Sequence, residues 1–124
     1  PLACAAALAV LDVFEEENLL QRSRDVGAHL SAGLRQIAAR HKTIVDVRGL
    51  GAMVAVELCR AGDLKQPDAD LTKRIVAEAA RRGLILLSCG TYGNVIRVLV
   101  PLTAPDAQLD EGLAILSACF DALA

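Results

Sequence analysis

The hydrophobic positions change their spacing along the chain, and the first two spacings predict helices. Residues 2–17 are rich in Ala and Leu and predict a helix that is apolar on every side over most of its length. Such a helix is either buried all round or docks on a surface outside this chain, and we expect the second. Asn18 is predicted to cap a second helix, in which apolar residues recur at helical spacing from Leu19 to about Arg40.

Two short alternating runs then predict a pair of strands. The runs are 44–48 and 53–58, and Gly49 and Gly51 lie between them. We expect a tight antiparallel hairpin there, because glycine allows the close backbone approach that such a turn needs. The polar residues 59–67 predict a surface loop.

The next stretch predicts a third helix and two more strands. Asp68 or Asp70 is expected to cap the helix, and Gly83 is expected to end it. Residues 84–88 and 95–100 predict the strands, and the glycine-rich turn between them makes an antiparallel pairing the natural one.

The last stretch predicts a final helix. Thr103 and Asp106 have the spacing of a capping box, and the apolar residues behind them share one helix face: Leu109, Leu113, Leu116 and Phe120. The predicted order is α-α-β-β-α-β-β-α. We therefore expect an α+β fold, with a small, mostly antiparallel four-stranded sheet and helices packed on one face, forming one domain over residues 1–124.

Composition and charge remove several classes of function. Hydrophobic residues make up 54% of the chain and aromatic residues 2%, which predicts an aliphatic core and no base-stacking platform. A net charge of −2 disfavours binding to nucleic acid, which needs a basic face. The apolar start is shorter than the roughly 18 residues of a membrane span and lacks the basic start of a signal peptide, so we expect no membrane partner and a cytoplasmic location.

The cysteines and histidines predict no metal site. The chain contains no Cys-x-x-Cys pair, and His29 and His41 have no nearby ligand partner. A disulfide framework is one interpretation of four cysteines, but four small core residues in a reducing compartment is the one we favour. The cysteines are Cys4, Cys59, Cys89 and Cys119.

Residues 48–51, with the sequence Arg-Gly-Leu-Gly, have some likeness to a phosphate-binding loop. In such a loop a third glycine follows and the chain enters a helix. Here Val54 stands in the third position and a predicted strand follows, so a tight hairpin is the better interpretation.

Arg97 is the candidate binding residue. Alternation along its strand places it on one face with Val95 and Leu99. A guanidinium among aliphatic side chains needs an anionic partner, and its planar fork can hold a carboxylate through two parallel hydrogen bonds. Two other interpretations stay open: Arg97 in water on an edge strand, or Arg97 paired with an acid of this chain such as Glu57.

Three segments, taken in order, resemble the class III aminotransferases, which are pyridoxal-phosphate enzymes of fold type I. They are 46–53 followed by 57–58 (DVRGLGAM and EL), 83–90 (GLILLSCG), and 93–97 followed by 101–103 (GNVIR and PLT). Residues 1–3 resemble the start of the helix that links the two domains in that family. The turn 87–94 is most similar to the 4-aminobutyrate branch, and ornithine and other ω-amino-acid branches share the general frame.

The resemblance implies that residues 1–124 are the C-terminal small domain of such an enzyme, with 2–17 as the domain-linking helix and the large cofactor-binding domain outside this chain. In the family, the arginine of an Asn-x-x-Arg strand binds a substrate carboxylate, notably that of 2-oxoglutarate or glutamate. Asn94 and Arg97 match this pattern. The full enzyme is then expected to be a homodimer that transfers an amino group from 4-aminobutyrate, or from another ω-amino acid or ornithine, to 2-oxoglutarate.

The same resemblance implies pyridoxal phosphate in the full-length enzyme, held by residues upstream of this chain. Lys42, Lys65 and Lys73 lie in polar contexts and match no Schiff-base motif. We therefore expect no catalytic or cofactor-binding residue in this chain, and no transamination by the chain alone. The rival hypothesis is a standalone, non-catalytic α+β ligand-binding module.

Overall fold

The computed structural model describes residues 1–124 and has the predicted order of helices and strands. The helices are α1 (Leu2–Glu16), α2 (Leu19–Ala38), α3 (Ala69–Arg81) and α4 (Asp106–Leu123). The strands are β1 (Ile44–Leu50), β2 (Met53–Leu58), β3 (Leu87–Cys89) and β4 (Val95–Leu99). One 3-10 turn, Arg60–Gly62, lies in the predicted surface loop.

The sheet has the strand order β1-β2-β4-β3, and every pairing in it is antiparallel. α2 and α3 lie against one face, and α4 packs on both of these helices. This arrangement confirms the predicted α+β fold. The core between sheet and helices is mostly aliphatic, and Phe120 is its one aromatic ring. Its most buried members include Leu34, Val54, Val56, Leu58, Ile75, Ile96, Leu116 and Phe120.

The β1–β2 turn is a tight hairpin, as predicted. Leu50 lies opposite Met53, and Gly51 has a φ of 53°, a conformation that favours glycine. A Cβ added at Gly27 of α2 would lie 2.0 Å from the carbonyl oxygen of Gly51. The second helix and the hairpin therefore touch backbone to backbone, which fixes where β1 and β2 lie on the core.

α1 contacts α2 and contributes no residue to the core. None of its residues is buried, and its apolar side chains are widely exposed, with Leu2 at 88%, Leu8 at 64% and Leu11 at 61%. Of the two alternatives for this helix, the structure therefore excludes burial within this chain.

Two of the predicted caps are wrong in detail, and one is confirmed. Asn18 stands at the N-cap position of α2, as predicted, but it adopts the left-handed conformation and its side chain makes no capping hydrogen bond. α4 begins two residues later than a capping box at Thr103 requires, so Asp106 is its first residue, and it pairs with Arg22 at 2.8 Å. Asp68 does cap α3, since its carboxylate accepts a hydrogen bond from the backbone of Leu71 at 3.0 Å.

The third strand is shorter than predicted. It begins at Leu87 rather than at residue 84, because Leu84 still closes the end of α3 by donating its N–H to the carbonyl of Ala79 at 2.8 Å. Leu86 is buried, so the apolar run that suggested a longer strand serves the core without pairing.

All four cysteines are free thiols, but only two of them are core residues. Cys59 and Cys119 are buried, and burial raises the pKa of both thiols. Cys4 is exposed on α1 and Cys89 is partly exposed at the end of β3, so the prediction of four core cysteines is wrong for these two. None of the helices is long and apolar enough to cross a bilayer.

Candidate functional site

The face of the sheet opposite the helices is open, and the strand register decides which side chains share it. Antiparallel pairing puts directly opposed residues on the same face. One row across the sheet runs from Arg48 through Ala55 and Arg97 to Leu87. Two arginines therefore flank one alanine, with their Cα atoms two strands, or roughly 10 Å, apart.

The next row on this face carries acids. It consists of Asp46, Glu57, Val95 and Cys89, in the order of the strands. Two carboxylates are thus direct cross-strand neighbours, an arrangement that is unfavourable unless a cation lies between them.

Arg48 is that cation. Its Nη1 lies 2.7 Å from Oδ2 of Asp46 and 2.6 Å from Oε2 of Glu57. The pKa of Arg48 is raised above its ordinary value by the hydrogen bond to Asp46 and, next, by that to Glu57. The positive charge of Arg48 is therefore already engaged within the chain.

Arg97 is exposed and forms no ion pair or side-chain hydrogen bond with this chain. Its strand, β4, is an inner strand, so the interpretation of an edge strand is wrong, but the exposure of Arg97 to water in that interpretation is confirmed. The internal pair with Glu57 is wrong as well, because Glu57 binds Arg48. The guanidinium of Arg97 is exposed to water on the open face, so its charge is not buried and needs no partner in this chain. What remains is a free guanidinium fork.

Asn94, which matches the same motif, has a structural role. It is 1% exposed, and its Nδ2 donates to the carbonyl of Leu58 at 3.0 Å and to Oε1 of Glu57 at 3.3 Å. The backbone carbonyl of Asn94 accepts a hydrogen bond from the backbone N–H of Leu58 at 2.8 Å. Asn94 therefore fixes the start of β4 against the end of β2, and with it the register that places Arg97 beside Ala55.

The turn before β4 closes over one end of the site. Gly90 has a φ of 85°, and a Cβ added there would lie 2.9 Å from Cγ2 of Val95. This close approach covers Val95 although the rest of the face is open.

A shallow depression of about 500 Å³ includes Arg97 and the rows around it, and its polar groups are few. Large apolar side chains on the same face are exposed, with Leu50 at 84%, Met53 at 47%, Leu87 at 58% and Leu99 at 60%. A free cation within an apolar surface can bind an anion whose carbon chain lies against that surface.

Sequence reasoning found Arg97 but missed the cluster of Asp46, Arg48 and Glu57. A signal for it was available. A tight hairpin with Leu50 opposite Met53 also places Asp46 opposite Glu57, and Asp46 and Arg48 are two residues apart and so share a face.

A second concave region, of about 520 Å³, lies between α2 and α4. Its charged groups already have partners: His29 binds Asp110 at 2.7 Å, and Arg40 binds Asp121 at 3.2 Å. These bonds connect the two helices, and the region offers no free charge comparable to Arg97.

None of the three lysines is desolvated within this chain. Lys42, Lys65 and Lys73 are exposed, and none belongs to a strand of the sheet. A lysine that forms a Schiff base needs desolvation or a neighbouring charge to react. The residues of this chain therefore do not fit the covalent attachment of pyridoxal phosphate.

Comparison with known proteins shows the family of this chain. The family model described as aminotransferase class-III matches residues 1–120. The chain is 66% identical over all of its 124 residues to 5-aminovalerate aminotransferase DavT of Pseudomonas aeruginosa. It is 61% identical over 121 residues, 98% of the chain, to 4-aminobutyrate aminotransferase GabT of Escherichia coli.

Solved structures agree with these relatives. A phospholyase from Arthrobacter matches the whole chain with a TM-score of 0.90 and 27% identity. An amine transaminase from an uncultivated Pseudomonas species matches 98% of the chain with a TM-score of 0.84 and 35% identity. The chain spans 29% of the Pseudomonas aeruginosa relative, 28% of the Escherichia coli relative, and 29% and 28% of these two structures. With the family model matching nearly every residue and the fold in agreement, the chain belongs to the class III aminotransferases.

Proposed function

We propose that this chain is the carboxylate-binding small domain of a pyridoxal-phosphate aminotransferase that transfers an amino group from a short ω-amino acid to 2-oxoglutarate. In this proposal Arg97 binds a carboxylate of 2-oxoglutarate, or of the glutamate formed from it. The observation that carries the proposal is the contrast on the open face, where Arg48 has two carboxylate partners and Arg97 has none.

The chemistry of Arg97 suits this role. A guanidinium fork binds a carboxylate through two parallel, charge-assisted hydrogen bonds, which fix direction as well as position. Fixing one end of a dicarboxylate restricts where its reacting carbon can lie, and this restriction is how positioning residues accelerate a reaction. The exposed Met53 and Leu99 provide the apolar surface beside the fork.

The amino donor in our proposal is 4-aminobutyrate. A specific observation favours 5-aminovalerate as a second candidate, because the relative of that name is 66% identical to this chain and the 4-aminobutyrate relative 61%. The two donors differ by one methylene group, a difference that a pocket distinguishes by only about 1–3 kcal/mol.

The proposal places the cofactor outside this chain. The linking helix predicted at 2–17 is α1, which in this proposal connects to a larger domain of the same polypeptide. That domain holds pyridoxal phosphate and most of a homodimer interface, and the enzyme is cytoplasmic. Two observations support this arrangement: the apolar side chains of α1 are exposed, and the relatives are more than three times longer. A standalone module explains neither observation.

The test is an assay of the full-length protein loaded with pyridoxal phosphate. Glutamate formed from 2-oxoglutarate is measured with 4-aminobutyrate and with 5-aminovalerate, and kcat/KM is compared between them. We expect both donors to react and 4-aminobutyrate to be preferred. A preference for 5-aminovalerate selects the second candidate, and no glutamate from either donor contradicts the proposed function.

A further inference from the structure

Glu57 is the acid that the strand register brings nearest to Arg97. Glu57 lies opposite Val95, while Arg97 lies opposite Ala55, so the two charged residues are diagonal neighbours on one face. Diagonal neighbours in an antiparallel pair are roughly 7–8 Å apart at their backbones, which long side chains can span. An ion pair between Glu57 and Arg97 is therefore within reach, yet the structure does not form it.

Two donors hold Glu57 elsewhere. Nη1 of Arg48 lies 2.6 Å from its Oε2, and Nδ2 of Asn94 lies 3.3 Å from its Oε1. Both donors are themselves anchored, Arg48 by Asp46 at 2.7 Å and Asn94 by the carbonyl of Leu58 at 3.0 Å. Both carboxylate oxygens of Glu57 are thus engaged by groups other than Arg97.

We propose that Arg48 is a positioning residue, which retains Glu57 and thereby keeps Arg97 free for the substrate carboxylate. This inference rests on the proposed function, because it requires Arg97 to bind substrate. A carboxylate tethered beside Arg97 has an effective concentration of millimolar order, enough to compete with a free dicarboxylate at ordinary concentrations. The competitor is removed when Glu57 is bound elsewhere.

The charges on this face show why Arg48 is needed. Asp46 and Glu57 are opposed acids, and Arg48 is the one cation between them. Without it, two like charges would face each other, and Arg97 would be the remaining cation on the sheet for Glu57 to bind. An ion pair between exposed side chains changes a binding constant by at most about fivefold.

The experiment measures the KM for 2-oxoglutarate and kcat in the full-length enzyme. Arg48→Met is expected to raise KM about two- to fivefold and leave kcat nearly unchanged, because it weakens binding and does not alter the reacting groups. Arg48→Lys keeps a cation beside Glu57 and is expected to stay close to the unmodified enzyme. The control is Arg82→Met, which breaks an Arg–Glu pair of 2.7 Å at the C-terminal end of α3, a helix on the other face of the sheet.

A double variant separates positioning from simple support of the fold. Adding Glu57→Gln to Arg48→Met removes the competing charge, and KM is expected to return to within about twofold of its original value. Damage to the fold would not be repaired by this exchange, so a KM that stays high overturns the inference. A KM unaffected by Arg48→Met overturns it as well.

The proposed function is tested separately by Arg97→Ala. If Arg97→Ala leaves the use of 2-oxoglutarate intact, the proposed role of Arg97 fails and the role of Arg48 fails with it. If Arg97→Ala impairs the use of 2-oxoglutarate while Arg48→Met does not, only the role of Arg48 is wrong.

Discussion

Arg48 and Arg97 lie in one row across the open face of the sheet, and only Arg48 has carboxylate partners within the chain. The two side chains share a residue type, a face and exposure to solvent. Their difference comes from the acids that the hairpin places beside Arg48. An arginine without such acids keeps its hydrogen-bonding capacity for a ligand.

Removing the free guanidinium should impair the acceptor half of the reaction. We expect Arg97→Ala to lower kcat/KM for 2-oxoglutarate by about 10- to 150-fold, since hydrogen bonds to charged groups are worth about 1.5–3 kcal/mol. The kcat/KM of Arg97→Lys should lie between those of the unmodified enzyme and Arg97→Ala, because lysine keeps the positive charge but lacks the planar guanidinium fork. Steady-state kinetics of the full-length enzyme with 2-oxoglutarate as the varied substrate measures this.

A matched control exists on α2. Arg35 is also exposed and also lacks an ion pair, but it lies on a helix and not on the open face of the sheet. Arg35→Ala should leave kcat/KM for 2-oxoglutarate unchanged. Equal losses from Arg35→Ala and Arg97→Ala would mean that overall charge, and not the position of Arg97, determines binding.

Local sequence signals predicted most of the fold, because each depends on near neighbours in the chain. Helical spacing, strand alternation and the turn at Gly51 act over a few residues. The ion pair of Arg22 with Asp106 joins residues 84 positions apart, and no local sequence pattern predicts it. The hairpin register was a local signal for the cluster of Asp46, Arg48 and Glu57, but the position of Arg97 beside that cluster depends on the pairing of β2 with β4, which joins distant segments.

The contact between α2 and the hairpin should not tolerate a side chain. Gly27→Ala would place a Cβ 2.0 Å from the carbonyl oxygen of Gly51, and both partners are backbone, so neither can rotate away. We expect a loss of about 1–3 kcal/mol in the free energy of unfolding, the usual cost of overpacking. Urea denaturation of the chain followed by circular dichroism measures the change.

Gly112 in α4 is the matched control for that substitution. A Cβ added there meets Leu84 at 3.6 Å, which is ordinary van der Waals contact. Gly112→Ala should therefore stabilise the chain slightly, by about 0.5–1 kcal/mol, because alanine loses less conformational entropy than glycine when the helix forms. If both glycine substitutions have the same effect, the close approach to Gly51 does not constrain the fold.

The same Leu→Ala change should lower stability strongly on α4 and hardly at all on α1. Leu116 is 2% exposed and Leu8 is 64% exposed, although both lie within helices. Leu116→Ala should cost about 2–5 kcal/mol through lost burial and the cavity left behind. Leu8→Ala should change the stability of the isolated chain by less than about 0.5 kcal/mol, as exposed positions usually do. Denaturant midpoints of the two variants test this, and a large loss at Leu8 would contradict the exposure of α1.

The buried thiols should make the chain less stable in alkali. Burial is the largest cause that raises the pKa of Cys59 and of Cys119, so the folded chain holds these two protons more tightly than the unfolded chain does. Their contribution to stability is complete below the ordinary thiol pKa of about 8.5 and is lost as the pH rises through the raised folded values. The double variant Cys59→Ala/Cys119→Ala should therefore lose less stability between pH 7 and pH 10 than the unmodified chain, whatever its stability at pH 7. Cys4 is exposed on α1, so Cys4→Ala should keep the steep alkaline loss. Denaturant midpoints of the three proteins measured across this pH range test the prediction. Parallel curves for all three would show that the buried thiols do not cause the loss of stability in alkali.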